Sequence, residues 1–197
     1  MPDSNITKRA LAQAMKDLMR TEAFSKISVG DICQACNMSR KSFYYHFRDK
    51  YDLVNWIFDS EFLQSIHPEA HHNGWGLLAD MCAYFYQEQA FYRNALRISG
   101  QNSFREYFGQ AITPLMAFFA QDIFDGVGHV DFYVTFFSDA ILMSIIRWLT
   151  EGAQIPPKEY LCQLRHILFR LAIHTIDELG PSEEGVQSDQ PAPTGQT

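Results

Sequence analysis

Between Ser28 and Lys50 the string SVGDICQACNMSRKSFYYHFRDK admits two short helices and little else. Ser28 is a preferred helix N-cap, and Asp31, three positions on, stands where a capping box places its acid. Asn37 tolerates the left-handed backbone conformation that stops helices, so the first of the two must be short. Ser39 caps the next helix, and Phe43 and Phe47, four apart, give it one inward face. Two short capped helices joined by a tight turn describe a helix-turn-helix. The second helix of that motif enters the DNA major groove, which is about 12 Å wide, and presents its N-terminal side chains to base edges and phosphates. Arg40 and Lys41 supply cations there, Ser39 and Ser42 short hydrogen-bonding groups, and Tyr44, Tyr45 and His46 polar tips on large rings. On these grounds alone a surface turn beside an ordinary aromatic core explains the same residues equally well.

The flanking sequence is helical too. Strand signals are nearly absent, and apolar residues recur at three- and four-residue steps. A first helix is expected over residues 7–22, with Leu11, Met15, Leu18 and Met19 on one face. Asp49 caps a fourth helix, about 49–65, carrying Tyr51, Leu53, Val54, Ile57, Phe58 and Phe62. The segment HPEAHHNG (67–74) reads as a linker. Longer helices follow over about 75–98, 103–124 and 129–151, with Pro114 predicting a kink or break in the second. Pro156-Pro157 opens a last helix, 157–179, and Gly180-Pro181 ends it. The expected class is all-α. A DNA-binding head over residues 1–50 connects through the fourth helix to an effector and dimerisation domain over 66–179, with a disordered tail over 180–197.

Charge sorts along the same line. The 197 residues sum to −7, which by itself argues against a polyanionic partner. Residues 1–50, however, hold nine basic and five acidic side chains, a balance of +4. The remainder holds seven basic and eighteen acidic, a balance of −11. Such asymmetry points to an arm that meets a polyanion and a body that does not. With 47% hydrophobic residues and 16 Phe, the chain has enough apolar area to fold. No uncharged apolar run approaches about 18 residues, and the N-terminus lacks a signal-peptide pattern, so a cytoplasmic protein without a membrane partner is expected.

The string D-I-C-x-A-x-N-M-S-R-K-S-F-Y-Y-H-F-R-D-K-Y-D-L resembles the DNA-binding signature of TetR-type transcriptional regulators, over about 45 residues. The resemblance implies a homodimer with two such heads on a pseudo-palindromic operator of double-stranded DNA. It further implies that Ser28 and Ser39 bond phosphates from helix N-termini and that Arg40 and Lys41 read bases and phosphates. Tyr44, Tyr45 and His46 would touch backbone or thymine methyls, with Ser42 beside them, and Lys50 would grip a phosphate. Asn37 replaces the family's usual turn glycine, and Cys33 its usual small residue. In the C-terminal half, I-I-R-W-L-T-E-G followed by P-P-K-E-Y is similar to a subtype that includes activators of dihydroxyacetone-kinase operons. That subtype implies a protein co-regulator or a small ligand, although a glycine expected near Asp139 is missing.

The stretch 132–152 is apolar on two faces, so it is expected to be buried on two, one of them against a twin. Phe132, Phe136, Ile141, Ile145 and Trp148, with Leu164, Leu168 and Leu171 of the last helix, are the expected interface of an intermolecular four-helix bundle. An internal core helix is the alternative. Tyr84, Tyr86, Arg97, Phe104, Tyr107, Phe108 and Phe118 form the candidate effector pocket, against the plainer reading of aromatic core. Cys33 and Cys36 form a C-x-x-C with no second ligand pair, so packing explains them better than metal. His67, His71 and His72 with Glu69 have the donor types for Zn²⁺, but a polar linker explains them more simply. No cofactor, metal or enzymatic activity is expected, since no catalytic constellation stands at a usable spacing. A regulator-like protein acting by protein contacts without DNA is the alternative function.

Overall fold

The computed structural model describes residues 4–66, 74–98, 103–121 and 130–179. Among them there are α-helices and short 3₁₀ turns but no strand. The helices are α1 (Ser4–Thr21), α2 (Val29–Ala35), α3 (Arg40–His46), α4 (Lys50–Glu61), α5 (Gly74–Gln87), α6 (Gln89–Ala95), α7 (Phe104–Gln121), α8 (Val130–Thr150) and α9 (Pro157–Leu179). The all-α class expected from the sequence is the one observed. Among the described residues, those up to Glu159 form one compact unit and those from Tyr160 on a second.

Within the first unit the head is not a detached module. α1 packs on α2, α3, α4 and α6, while α4 packs on α7. α1 buries Leu11, Met15 and Met19 along one face, at the helical spacing read from the sequence, and with them Lys16, which the apolar pattern did not single out. The expected helix over 75–98 is two helices, because the chain turns at Glu88, the N-cap residue of α6. Pro114 does not break α7, which continues through it; the proline is exposed. α8 ends in the left-handed turn that its E-G sequence permits. Gly152 has φ +94°, its N–H donates to the Leu149 carbonyl, and the Ala153 N–H donates to the Trp148 carbonyl at 2.8 Å.

The core of the body is aromatic. The ring of Phe58, on α4, has those of Phe62, Phe85, Tyr92, Phe104, Tyr107 and Phe108 around it, with centroids 5.4–6.4 Å away. Edge-on and offset contacts of this kind each add about 0.5–1.5 kcal/mol to the area they bury. α8 packs on α7, α6 and α5. By length and composition its segment Asp131–Thr150, of mean hydropathy 1.4, is apolar enough to cross a membrane, although it is not an uncharged run. It holds Asp131, Asp139 and Arg147, and one face is core: Val134, Leu142, Ile145, Ile146, Trp148 and Leu149 are buried. The opposite face leaves Phe132 (67% exposed), Phe136 (58%) and Met143 in the open.

Candidate nucleic-acid interface

The head is built by its caps. Ser28 Oγ accepts the Asp31 backbone N–H at 3.2 Å, and the Asp31 carboxylate accepts the Ser28 N–H at 2.8 Å and the Ser28 hydroxyl at 2.7 Å. These bonds, with the nearby Arg40 guanidinium, hold the Asp31 carboxyl below its ordinary range. α2 stops where Asn37 takes φ +55°. The Met38 N–H reaches back to the Cys33 carbonyl at 2.8 Å and the Asn37 N–H to the Gln34 carbonyl at 3.2 Å. This is a Schellman stop with asparagine in the glycine position. Ser39 Oγ then accepts the Ser42 N–H at 3.1 Å and starts α3. Both serines therefore use acceptor capacity on their own helices.

α3 is anchored from below and bare above. Phe43 and Phe47 are buried, the latter against Trp56. Arg40, Lys41, Tyr44 and Tyr45 are exposed, Tyr45 to 83%, while Ser42 and His46 are half-buried. The Tyr45 ring meets the His46 ring edge-on at 4.9 Å. The Arg40 guanidinium lies over Gly30, whose missing Cβ makes room for it. Composition and spacing did not flag Gly30; a glycine in the first turn of a helix, where Ala would serve better, was the available signal. The exposed set is one contiguous stretch of cations, hydroxyls and ring edges on a rigid short helix.

Lys50 differs from the expectation of a phosphate grip. Its Nζ donates to the Phe24 and Ile27 carbonyls, both at 2.7 Å, and sits 4.3 Å from the Phe24 ring centroid. Burial pulls its pKa below the usual lysine range. Two of its three donors are thus spent on fastening α4 to the segment that leads into α2.

In the body the candidate pocket residues mostly fill space. Phe104 and Phe108 are buried in the cluster around Phe58. Tyr84 is within 3.0 Å of the Tyr92 hydroxyl, and burial raises the pKa of both phenols. Tyr86 stacks on Trp148, and Arg97 donates to the Thr150 carbonyl at 2.9 Å. The side chain of Phe118 lies outside the described residues. Tyr107 faces an open cleft of about 390 Å³, with Asp52, Asn55, Asp59 and Glu106 in its walls. Its hydroxyl lies 2.6 and 2.7 Å from the two Asp59 oxygens, while burial raises the Asp59 pKa. These acids are scattered over α4 and α7, so no local sequence pattern marks them as one wall.

The expected dimer face needs one correction. Ile145 is fully buried and Trp148 nearly so, with the indole N–H donating to the Ile155 carbonyl at 2.9 Å. Both belong to the subunit's own core, since each faces the side of α8 that packs inward. Phe132 and Phe136 are exposed and Ile141 half-buried. In α9, Leu164 is half-buried and Ile167 and Phe169 exposed; the side chains of Leu168 and Leu171 lie outside the described residues. So do His67, Glu69, His71 and His72, and the tail over 180–197. Cys33 is buried, and the Cys36 thiol donates to the Ile32 carbonyl at 3.3 Å.

Two family models match the chain: bacterial regulatory proteins, tetR family, over residues 8–57, and transcriptional regulator C-terminal region, over residues 75–170. The HTH-type dhaKLM operon transcriptional activator DhaS of Lactococcus lactis subsp. lactis (strain IL1403) is 34% identical over 109 residues. The match takes in 55% of this chain and 57% of that protein, so the chain spans little more than half the length of this relative. Among solved structures, a dihydroxyacetone kinase operon activator DhaS gives a TM-score of 0.63 at 22% identity, covering 84% of this chain and 96% of its own. NalD, the secondary repressor of the MexAB-OprM multidrug efflux pump in Pseudomonas aeruginosa, gives 0.64 at 16% identity, covering 85% and 97%. At these identities the likeness is one of fold.

Proposed function

This chain belongs to the TetR family of bacterial regulatory proteins, and from that premise we propose that it is a cytoplasmic, sequence-specific DNA-binding regulator of transcription acting as a homodimer. The observation that carries the reading is the outward face of α3. Arg40, Lys41, Tyr44 and Tyr45 stand exposed on a helix whose other face is locked by Phe43 and Phe47. Arg40 and Lys41 read base edges or phosphates, the tyrosine and His46 tips touch backbone or thymine methyls, and Ser28, Ser39 and Ser42 approach phosphates at the two helix starts. Lys50 contributes chiefly by holding α4 in place.

The dimer forms through the open apolar face of α8, with Phe132, Phe136 and Met143, and the last helix contributes to an intermolecular bundle. A soluble subunit gains by covering such a patch. Two heads then meet half-sites one DNA turn, about 34–36 Å, apart. Control comes from a small ligand or protein co-regulator bound by the body. The 34% identical relative, a named operon activator, favours a local metabolic operon as the target. An effector acts only through unequal affinity for the two arrangements of the heads.

The test is a gel shift with DNA from upstream of the protein's own gene, across a salt series. Specific binding should weaken steeply with salt. Arg40→Ala and Lys41→Ala should each lower affinity about tenfold or more, as expected for loss of 1–3 kcal/mol per reading contact, with the helical circular dichroism unchanged. Wild-type affinity in both variants would show that α3 does not read the groove.

A further inference from the structure

Lys16 is the one charged side chain among the described residues that is buried, at 7% exposure, and it lies on the face of α1 that also buries Met15 and Met19. An ammonium taken out of water costs several kcal/mol unless it is paired and hydrogen-bonded. Two carboxylates meet it. Nζ donates to Glu61 Oε2 at 2.8 Å and lies 3.3 Å from Glu88 Oε1. These partners come from different parts of the molecule: Glu61 ends α4, and Glu88 stands at the turn from α5, just before α6. The Tyr84 hydroxyl donates to the same Glu61 oxygen at 3.3 Å and accepts from Tyr92 at 3.0 Å. Nearby, Asn94 Nδ2 donates to the Met19 carbonyl at 2.6 Å, a second tie between α6 and α1. Just beyond α6, the Arg97 bond to the Thr150 carbonyl fastens the same segment to the end of α8.

We propose that Lys16 is a positioning residue for operator binding: it fixes the angle between the DNA-binding head and the body, and so the reach of the two heads, without touching DNA. The inference rests on the reading of the chain as a dimeric operator binder. Apolar contacts alone would hold α1 against α6 but would permit sliding. A single ammonium shared by two carboxylates from separate elements is satisfied in one register. Sliding α6 along α1 by one helical turn, about 5.4 Å, would take Glu88 out of pairing range and leave its charge uncompensated. Whatever moves α6 must break this joint, and whatever holds the joint holds the head.

The experiment uses the full chain with Lys16→Met. Affinity is measured by fluorescence anisotropy on the operator located upstream of the gene and on versions with the half-site spacing changed by one base pair, across a salt series, alongside thermal unfolding. We expect a helical dimer that binds its operator about tenfold or more weakly and discriminates less between spacings, with the salt slope unchanged. A lost phosphate contact would instead reduce that slope by about 0.9, which would overturn the proposal. So would a lowered Tm with wild-type affinity and spacing preference, the outcome of a purely structural role. If Lys16→Met fails to fold, the triple variant with Glu61→Gln and Glu88→Gln removes the carboxylate repulsion. It should fold and show the relaxed spacing preference; wild-type preference in it overturns the joint. Absence of specific DNA binding by the wild-type protein overturns the parent reading and the joint with it, whereas equal behaviour of wild type and variants overturns the joint alone.

Discussion

On α3 the rings of Tyr44 and Tyr45 stand in solvent, while in the body those of Phe58, Phe85, Tyr92, Phe104 and Phe108 are sealed against one another. The head holds α3 down chiefly with Phe43 and Phe47 and leaves Lys41, Tyr44 and Tyr45 exposed on its outer side. Around Phe58 the body spends its rings on its own cohesion. The exposed face of α3 and the closed cluster around Phe58 thus use the same residue types in opposite ways. The open apolar area of the body is found elsewhere, on the outer face of α8.

The contrast breaks most directly under matched truncations. Phe58→Ala should cost about 3–5 kcal/mol in denaturant unfolding, because a large buried ring leaves a cavity among rigid neighbours. Tyr45→Ala, at an exposed site, should stay within about 0.5 kcal/mol of wild type and move only operator affinity. Equal losses of stability would mean that α3 is part of the core. On α8 the two faces should separate in the same way. Ile145→Ala should destabilise by about 2–5 kcal/mol, whereas Phe136→Glu should leave a helical protein whose mass by light scattering falls to that of one chain. A Phe136→Glu protein that keeps a two-chain mass would place the twin on another surface.

The smallest effect concerns the capping box of the head. The Asp31 pKa is lowered, first by the Ser28 hydroxyl and then by the Ser28 N–H. A depressed carboxyl stabilises the fold above its ordinary pKa of 3.8, and that stabilisation is lost as pH falls through the lower folded value. Asp31→Asn should therefore lower the urea midpoint at pH 7, and the gap to wild type should close as the solution is acidified below 3.8. A gap that persists in acid would locate the effect in something other than this charge.

The head was the more legible region because its signals are local. Ser28, Asp31, Asn37, Ser39 and Asp49 act on backbone groups two or three residues away, so their order in the chain is enough to read the caps and the stop. Glu88 carries no comparable breaker, and the division of 75–98 into α5 and α6 went unread. The partners of Lys50 and Lys16 are distant in sequence. A lysine on the first turn of α4 invites a phosphate, and only the nearby carbonyls of Phe24 and Ile27 redirect it inward. The aromatic crowd in the body was visible as composition, but whether it lines a pocket or fills one depends on how α4, α5, α6 and α7 meet.

The sequence by itself determined the helical class, the caps of the head and the family, because caps, periodicity and a contiguous motif are properties of neighbours along the chain. Tertiary structure alone decided which face of α8 is core, with Ile145 and Trp148 turned inward and Phe132 and Phe136 left out. It also decided that Lys16 lies between Glu61 and Glu88. Burial and ion pairing depend on residues tens of positions apart, and no local spacing encodes which of two apolar faces will find a partner first.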